Sequence, residues 1–418
     1  MFADLLREGS WLEASIDTAQ PDRKPIPKPD IRRMLVPMGP VVVFAASNFP
    51  LAFSTAGGDT ASALAGGNPV IVKAHSAHPG TSALVGHAIS RAAEKCGMPD
   101  GVFSMFHGSG ATVGQALIKH ASIKAAGFTG SRSAGRLLFD LACQRDEPIP
   151  FFAEMGSINP IVILPNAMNE RPKEIAGLIA GSITLGGGQF CTNPGLLLII
   201  EKKGYSNFLD ELNDAISTIA PSVMLNEKIH KSFETDKHSA LNQKGVKIEA
   251  VSRHEITGDN LAMPTLASVN AASFFRNSSL SDEIFGPYSL IVKCKNENEL
   301  EDIVGTLEGQ LTATIFAADK ENEDYGSIIN QLKNRVGRII FNGVPTGVEV
   351  CGSMQHGGPY PASGDVRFTS VGTSSIKRFT RPIAFQDWPD YELPDELKKS
   401  NPLNIWRWVD NYLTKENS

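Results

Sequence analysis

One loop of this chain presents a thiol as a nucleophile would be presented. Gly186-Gly187-Gly188-Gln189-Phe190-Cys191-Thr192-Asn193-Pro194 runs three glycines into a cysteine and closes on a Thr-Asn-Pro turn. Glycine lets the backbone come close to a ligand or take conformations other residues resist. A thiolate there is a strong nucleophile once its pKa falls. Taken alone, the stretch also reads as a loop with an incidental thiol. Two further loops suit the same chemistry. Glu154 stands between the apolar Phe151-Phe152-Ala153 and a Met155-Gly156-Ser157 turn, where a carboxylate can swing toward a neighbour and act as a general base. Asn48 follows the apolar Val41-Val42-Val43-Phe44 and precedes Pro50, so its amide is placed to donate to a developing oxyanion. Each residue has an ordinary reading too, as a surface glutamate or a turn asparagine. Nucleophile, base and oxyanion donor together make the stronger set.

Two more stretches suit a phosphorylated ligand. Val70-Ile71-Val72-Lys73-Ala74-His75-Ser76 is a strand ending in a lysine, a histidine and a hydroxyl. Phe128-Thr129-Gly130-Ser131-Arg132 is a strand opening onto a helix, with Ser131 as cap and Arg132 and Arg136 on its first turns. A diphosphate suits the free N–H groups of such a helix start. The run Gly108 to Gly114 nearly matches a dinucleotide fingerprint. Its last glycine falls one residue late and no acidic residue closes the next strand, so it reads as a helix start.

The elements that must position these loops alternate. Strands are expected at 38–45, 70–73, 102–107 and 125–131, with helices at 55–65, 81–96, 111–120 and 134–143 between and after them. Such βαβ units predict an α/β fold on a doubly wound parallel sheet, with ligands beyond the carboxyl ends of the strands. A break near 152–157 leads to a second alternating block from Pro160 to Phe341, followed by a glycine-rich stretch from Gly352 to Gly372. The final residues are polar with proline and tryptophan and suggest no function.

Composition narrows the class. The 418 residues are 42% hydrophobic and 20% charged, which suits a globular protein of two or three domains. A net charge of −6 offers no footprint for nucleic acid. Five cysteines without a C-x-x-C pair argue against a disulfide framework or a zinc cluster and for a cytoplasmic setting. No signal segment opens the chain and no apolar run reaches membrane-spanning length.

Ala46-Ser47-Asn48-Phe49-Pro50, Lys73, Phe128-Thr129-Gly130-Ser131, Glu154-Met155-Gly156-Ser157, Gly188-Gln189-Phe190-Cys191-Thr192 and Glu283-Ile284-Phe285-Gly286-Pro287 occur in order. This set resembles the aldehyde dehydrogenase superfamily. Met354-Gln355-His356-Gly357-Gly358-Pro359-Tyr360-Pro361 and Ser370-Val371-Gly372-Thr373 narrow the likeness to its α-ketoglutaric semialdehyde dehydrogenase branch, with bacterial fatty aldehyde dehydrogenases also similar. The resemblance implies that Cys191 attacks an aldehyde. Asn48 and the Cys191 N–H would hold the oxyanion, and Glu154 would activate the water that hydrolyses a thioester. It implies that Glu283 holds the nicotinamide ribose beside Phe285, and that Gly130 and Ser131 face the diphosphate.

The implied fold has a Rossmann-like cofactor domain (1–11 and 39–156), an α/β catalytic domain (157–363), a small β oligomerisation flap (12–38 with 364–385) and a tail (386–418). Family members carry a further N-terminal stretch that helps build the cofactor domain, and this chain begins inside it. NAD-preferring members place a glutamate three residues after the strand-end lysine; here Ser76 stands there. With Lys73 and Arg132 it predicts NADP, with NAD the weaker alternative. The expected substrate is a small aldehyde, 2-oxoglutarate semialdehyde, with Arg367 placed to meet its carboxylate. A homodimer or homotetramer is expected, with no nucleic-acid or membrane partner and no metal. The alternatives are a fatty or other semialdehyde dehydrogenase, a shortened relative that keeps the fold without turnover, and a cysteine hydrolase, for which no motif places a histidine.

Overall fold

Val41–Phe44 is buried at all four positions, as a strand covered on both faces must be. It is the middle of a five-stranded sheet ordered Phe103–Phe106, Val70–Lys73, Val41–Phe44, Ala125–Thr129, Phe151–Glu154. All pairings in it are parallel. The chain fills one side of Val41–Phe44 first and then the other, so the crevice between the two halves opens at the carboxyl ends of the central strands. Lys73, Asn48 and the turn Gly130-Ser131 lie at those ends. The computed structural model describes residues 1–418.

A second sheet has seven strands, in the order Lys247–Val251, Thr265–Asn270, Tyr288–Cys294, Leu196–Ile200, Ile161–Ile163, Gln310–Phe316, Val336–Phe341. Only its first pairing is antiparallel. Apolar clusters of 30 and 18 buried residues fill its two faces, so the loops leaving it spring from the most rigid part of the molecule. Helix Pro172–Thr184 covers one face with Ile175, Ala176, Ile179, Ala180 and Ile183, an i, i+4 stripe.

The third sheet joins Thr380–Gln386, Ile31–Pro37, Ser15–Asp17, Arg407–Val409 and Tyr412–Thr414. Residues 386–418, set apart as a tail on sequence grounds, thus contribute two strands to the sheet expected of the flap. They are three residues each, too short to show a period. Glu154, expected on a turn, is instead the last residue of a strand. The near-fingerprint at Gly110–Gly114 forms a π-helical turn that runs into helix Gln115–Lys119. No helix is long and apolar enough to cross a membrane.

Candidate active site

The Cys191 loop leads into Leu196–Ile200 of the second sheet and meets, through His356, the end of Phe151–Glu154 from the first. Gly186, Gly187 and Gly188 all take left-handed backbone angles, φ +57°, +67° and +67°. A Cβ on Gly188 would fall 2.2 Å from the Gly286 carbonyl carbon, so no other residue fits against the Glu283–Pro287 segment. Asn159, fully buried, donates from Nδ2 to the carbonyls of Cys191 and Asn193, both at 2.9 Å. Asn193 in turn donates to the Gly286 carbonyl at 3.0 Å. Loop, turn and neighbouring segment are therefore one hydrogen-bonded unit.

Glu154 enters this unit from the first sheet. Its strand end bridges to Ser363, and the Met155 N–H donates to the Ala362 carbonyl. One carboxylate oxygen lies 3.0 Å from His356 Nε2, and the other accepts a short hydrogen bond from the Ser370 hydroxyl. The same His356 Nε2 lies 3.3 Å from Cys191 Sγ. Cysteine, histidine and glutamate thus form a contiguous triad, of which the sequence reading identified two members. Sequence reasoning passed over His356 because it sits in a glycine- and proline-rich stretch with no periodicity. The available signal was its place in the Met354 to Pro361 motif.

The triad's electrostatics follow from burial. Desolvation and the adjacent Glu154 carboxylate push the Cys191 thiol well above its ordinary value. Burial works to raise Glu154 as well. Facing His356 and hydrogen bonds from His356, Ser370 and Cys191 override it and hold the carboxyl below the usual range. His356 Nδ1 is buried without a partner. Sγ, Nε2 and the carboxylate lie within 4.8 Å of one another, a donor set that could also ligate a divalent ion.

Asn48 donates one amide hydrogen to the Gln189 carbonyl at 3.0 Å, two residues from the thiol, and keeps the other uncommitted. Phe49 packs edge-on against Phe190 with centroids 5.2 Å apart and against Phe53 at 5.8 Å. Phe53 in turn lies 6.2 Å from the His356 ring. These rings wall the approach to Cys191 with apolar surface.

The groups expected at a cofactor lie along the crevice. Lys73 is buried, and burial together with the charge of Lys228 lowers its pKa; no carboxylate contributes. Neighbouring His75 is driven down to about 4 by burial and by Lys73, His78 and Lys228. Ser76 is exposed. Ser131 caps helix Arg132–Cys143, accepting from the Ala134 N–H, and Gly130 is exposed beside it. Glu283 accepts only a long bond, 3.4 Å, from the Ser157 N–H. Desolvation raises its pKa to about 7, against which that N–H works. Phe285, two residues on, is half-buried. A buried amine without an acid, a carboxyl with spare acceptor capacity and a free helix N-terminus fit the phosphates and ribose hydroxyls of a dinucleotide.

Two expected residues are engaged elsewhere. Arg132 makes a two-point ion pair with Glu308 at 2.6 and 3.0 Å, on the surface. Arg367 is 75% exposed and bound to Asp365, outside the group around Cys191. Its position in a motif implied a role, but its own neighbour in sequence neutralises it.

A cysteine, a histidine and a glutamate meeting beside the carboxyl ends of parallel strands make an α/β enzyme site. Residues 10–382 match the aldehyde dehydrogenase family, and the chain belongs to it. Among its relatives is α-ketoglutaric semialdehyde dehydrogenase 2 of Azospirillum brasilense, 47% identical over 98% of this chain and 78% of the relative. The α-ketoglutaric semialdehyde dehydrogenase of Acinetobacter baylyi is 45% identical over 99% of this chain and 78% of the relative. Among solved structures, a glyceraldehyde-3-phosphate dehydrogenase of Methanocaldococcus jannaschii complexed with NADP shares the fold. Its TM-score is 0.74, at 18% identity, covering 92% of this chain and 78% of that one.

Proposed function

We propose that this protein oxidises 2-oxoglutarate semialdehyde to 2-oxoglutarate, with NADP preferred over NAD. The observation that carries the chemistry is the convergence of Cys191 Sγ, His356 Nε2 and Glu154 in one buried cluster. The substrate reading is supported by relatives of that name at 47% and 45% identity over nearly the whole chain.

In this reading the Glu154–His356 pair takes the proton of the Cys191 thiol, and the sulfur adds to the aldehyde carbon. The second Asn48 amide hydrogen and the Cys191 N–H steady the resulting oxyanion. The cofactor, when bound, supplies the hydride acceptor that converts the thiohemiacetal on Cys191 into a thioester. With the thiol's proton released to solvent, Glu154 removes a proton from water as it attacks the thioester, and His356, hydrogen-bonded to the same carboxylate, keeps that base ionised. The sulfur leaves as a thiolate, for which His356 Nε2 is the nearest donor. Glu283 accepts the hydroxyls of the nicotinamide ribose beside Phe285, and Gly130 and Ser131 face the diphosphate.

Lys73, without a carboxylate partner, and the uncharged Ser76 support NADP. A 2′-phosphate would supply the counter-charge that Lys73 lacks. Arg132 joins them only by leaving Glu308, at small cost for a surface pair. We further assign 1–11 and 39–156 to cofactor binding, 157–363 to catalysis and the third sheet to association into a homodimer or homotetramer in the cytoplasm. The test is absorbance at 340 nm with the purified protein, 2-oxoglutarate semialdehyde and each nucleotide. NADP-dependent oxidation at low aldehyde concentration is expected. No turnover with either nucleotide, by folded protein, refutes the proposal.

A further inference from the structure

Arg338 sits on the strand Val336–Phe341, opposite Thr312, at the edge of the second sheet. Its guanidinium has no acidic partner. Nη2 donates to the Pro345 carbonyl at 3.0 Å, Nη1 rests 3.8 Å from the soft sulfur of Met354, and Nε is buried without any partner. One of its five N–H groups is therefore committed to an oxygen. Burial pulls its pKa down, and the only charge acting to raise it is that of a Cys191 thiolate. A half-buried cation left this way is costly unless something transient satisfies it.

The surroundings say where that something enters. A Cβ on Gly337 would fall 1.9 Å from the Gly357 carbonyl oxygen, so the Arg338 strand is pressed against the segment that delivers His356. Met354, in contact with the guanidinium, precedes that histidine by two residues. Arg338 thus lies beside the segment that delivers His356, near enough to Cys191 for a charge there to act on it. Arg367, the other arginine of this region, is already neutralised by Asp365.

We propose that Arg338 binds the carboxylate of the substrate and makes the enzyme selective for carboxylated semialdehydes. This rests on the proposed aldehyde oxidation at Cys191 and names the group that reads the far end of the substrate. The planar fork suits a carboxylate, which would take the uncommitted hydrogens of Nη1 and Nη2 along the fork's outer edge. The Pro345 contact keeps the side chain aimed while substrates exchange.

The experiment compares wild type, Arg338→Met and Arg338→Lys, each checked for folding by thermal melting. Substrates are 2-oxoglutarate semialdehyde and pentanal, an uncharged aldehyde of equal chain length. The readout is the ratio of the two kcat/KM values. Loss of a charge-assisted contact should lower that ratio by roughly 10- to 150-fold in Arg338→Met, through KM for the semialdehyde rather than kcat. Arg338→Lys should recover part of it, and serves alone if Arg338→Met does not fold. Equal losses on both aldehydes would overturn the assignment and leave Arg338 as a support for the Pro345 loop. A wild type that oxidises pentanal more efficiently than the semialdehyde would instead refute the substrate reading, and Arg338 as its carboxylate reader with it.

Discussion

Replacing His356 by phenylalanine keeps a ring in a fully buried site and removes the nitrogen that touches both Glu154 and Cys191. Taking a hydrogen-bond partner from a buried carboxylate costs about 1.5–3 kcal/mol. Glu154 escapes that cost by taking up a proton, because burial is then opposed only by the Ser370 and Cys191 hydrogen bonds. The stability consequence has a definite sign. In the wild type the Glu154 pKa is depressed, so its contribution is present above 4.5, the ordinary carboxylate value, and is lost as pH falls through the folded value. In the variant the folded pKa is raised, so stability is lost as pH rises through it. The gap in Tm between the two proteins should therefore widen from pH 5 to pH 8. In catalysis, a base with its proton already on cannot deprotonate the thiol, and loss of general-base help costs about 10²- to 10⁴-fold. The assay is steady-state kcat/KM for 2-oxoglutarate semialdehyde across pH, with folding checked by the same melts. The variant should fall by that factor at neutral pH. A kcat/KM within twofold of wild type at every pH would refute the triad as drawn.

Cys191→Ala should abolish turnover while nucleotide binding, read by fluorescence titration, survives; turnover near the wild-type rate would remove Cys191 from the mechanism. Glu154→Gln should release one equivalent of reduced nucleotide in a single turnover and then stall with an acylated Cys191 visible by mass spectrometry, and a normal steady-state rate would show that another group is the base. Nucleotide affinity should strengthen as pH rises through about 7, where Glu283 ionises, because only the carboxylate accepts from both ribose hydroxyls. Glu283→Gln should flatten that dependence, and an unchanged profile would count against the contact. Ser76→Glu should reverse the order of NADP and NAD in kcat/KM, and Lys73→Met should weaken NADP by about tenfold or more; equal losses for both nucleotides would contradict a 2′-phosphate at this point.

The first sheet was legible because its strands are short apolar runs punctuated by Gly, Pro and Ser at their ends. Val70–Lys73 stands as expected, and Ala125–Thr129 ends two residues short. The second sheet was legible only in part. Strand Thr265–Asn270 is built of small and hydroxylated residues, and Lys247–Val251 lies at the sheet edge with charged residues. Neither announces itself by hydropathy. Of the site, Cys191, Glu154 and Asn48 were readable because glycines and turns flank them. His356 and Ser370 reach Glu154 from 202 and 216 residues away, and no local pattern encodes such a meeting. Asn159 was invisible for a related reason. Its side chain binds backbone carbonyls, which any sequence possesses. The ion pairs of Arg132 with Glu308 and of Arg367 with Asp365 were not foreseen, and those acids compete with any ligand.

The spacing of the triad along the chain has a consequence for biosynthesis. His356 meets Cys191 across 165 residues of sequence. At a synthesis rate of about 5–20 residues per second, the histidine leaves the ribosome roughly 10–30 s after the cysteine. Until then the thiol has neither its imidazole neighbour nor the folded pocket that apposes it to Glu154. The third sheet closes later still, because Ser15–Asp17 must wait for Arg407–Val409. The nascent protein therefore carries the proposed nucleophile apart from its partners, and the proposed chemistry becomes possible only after His356 has been made.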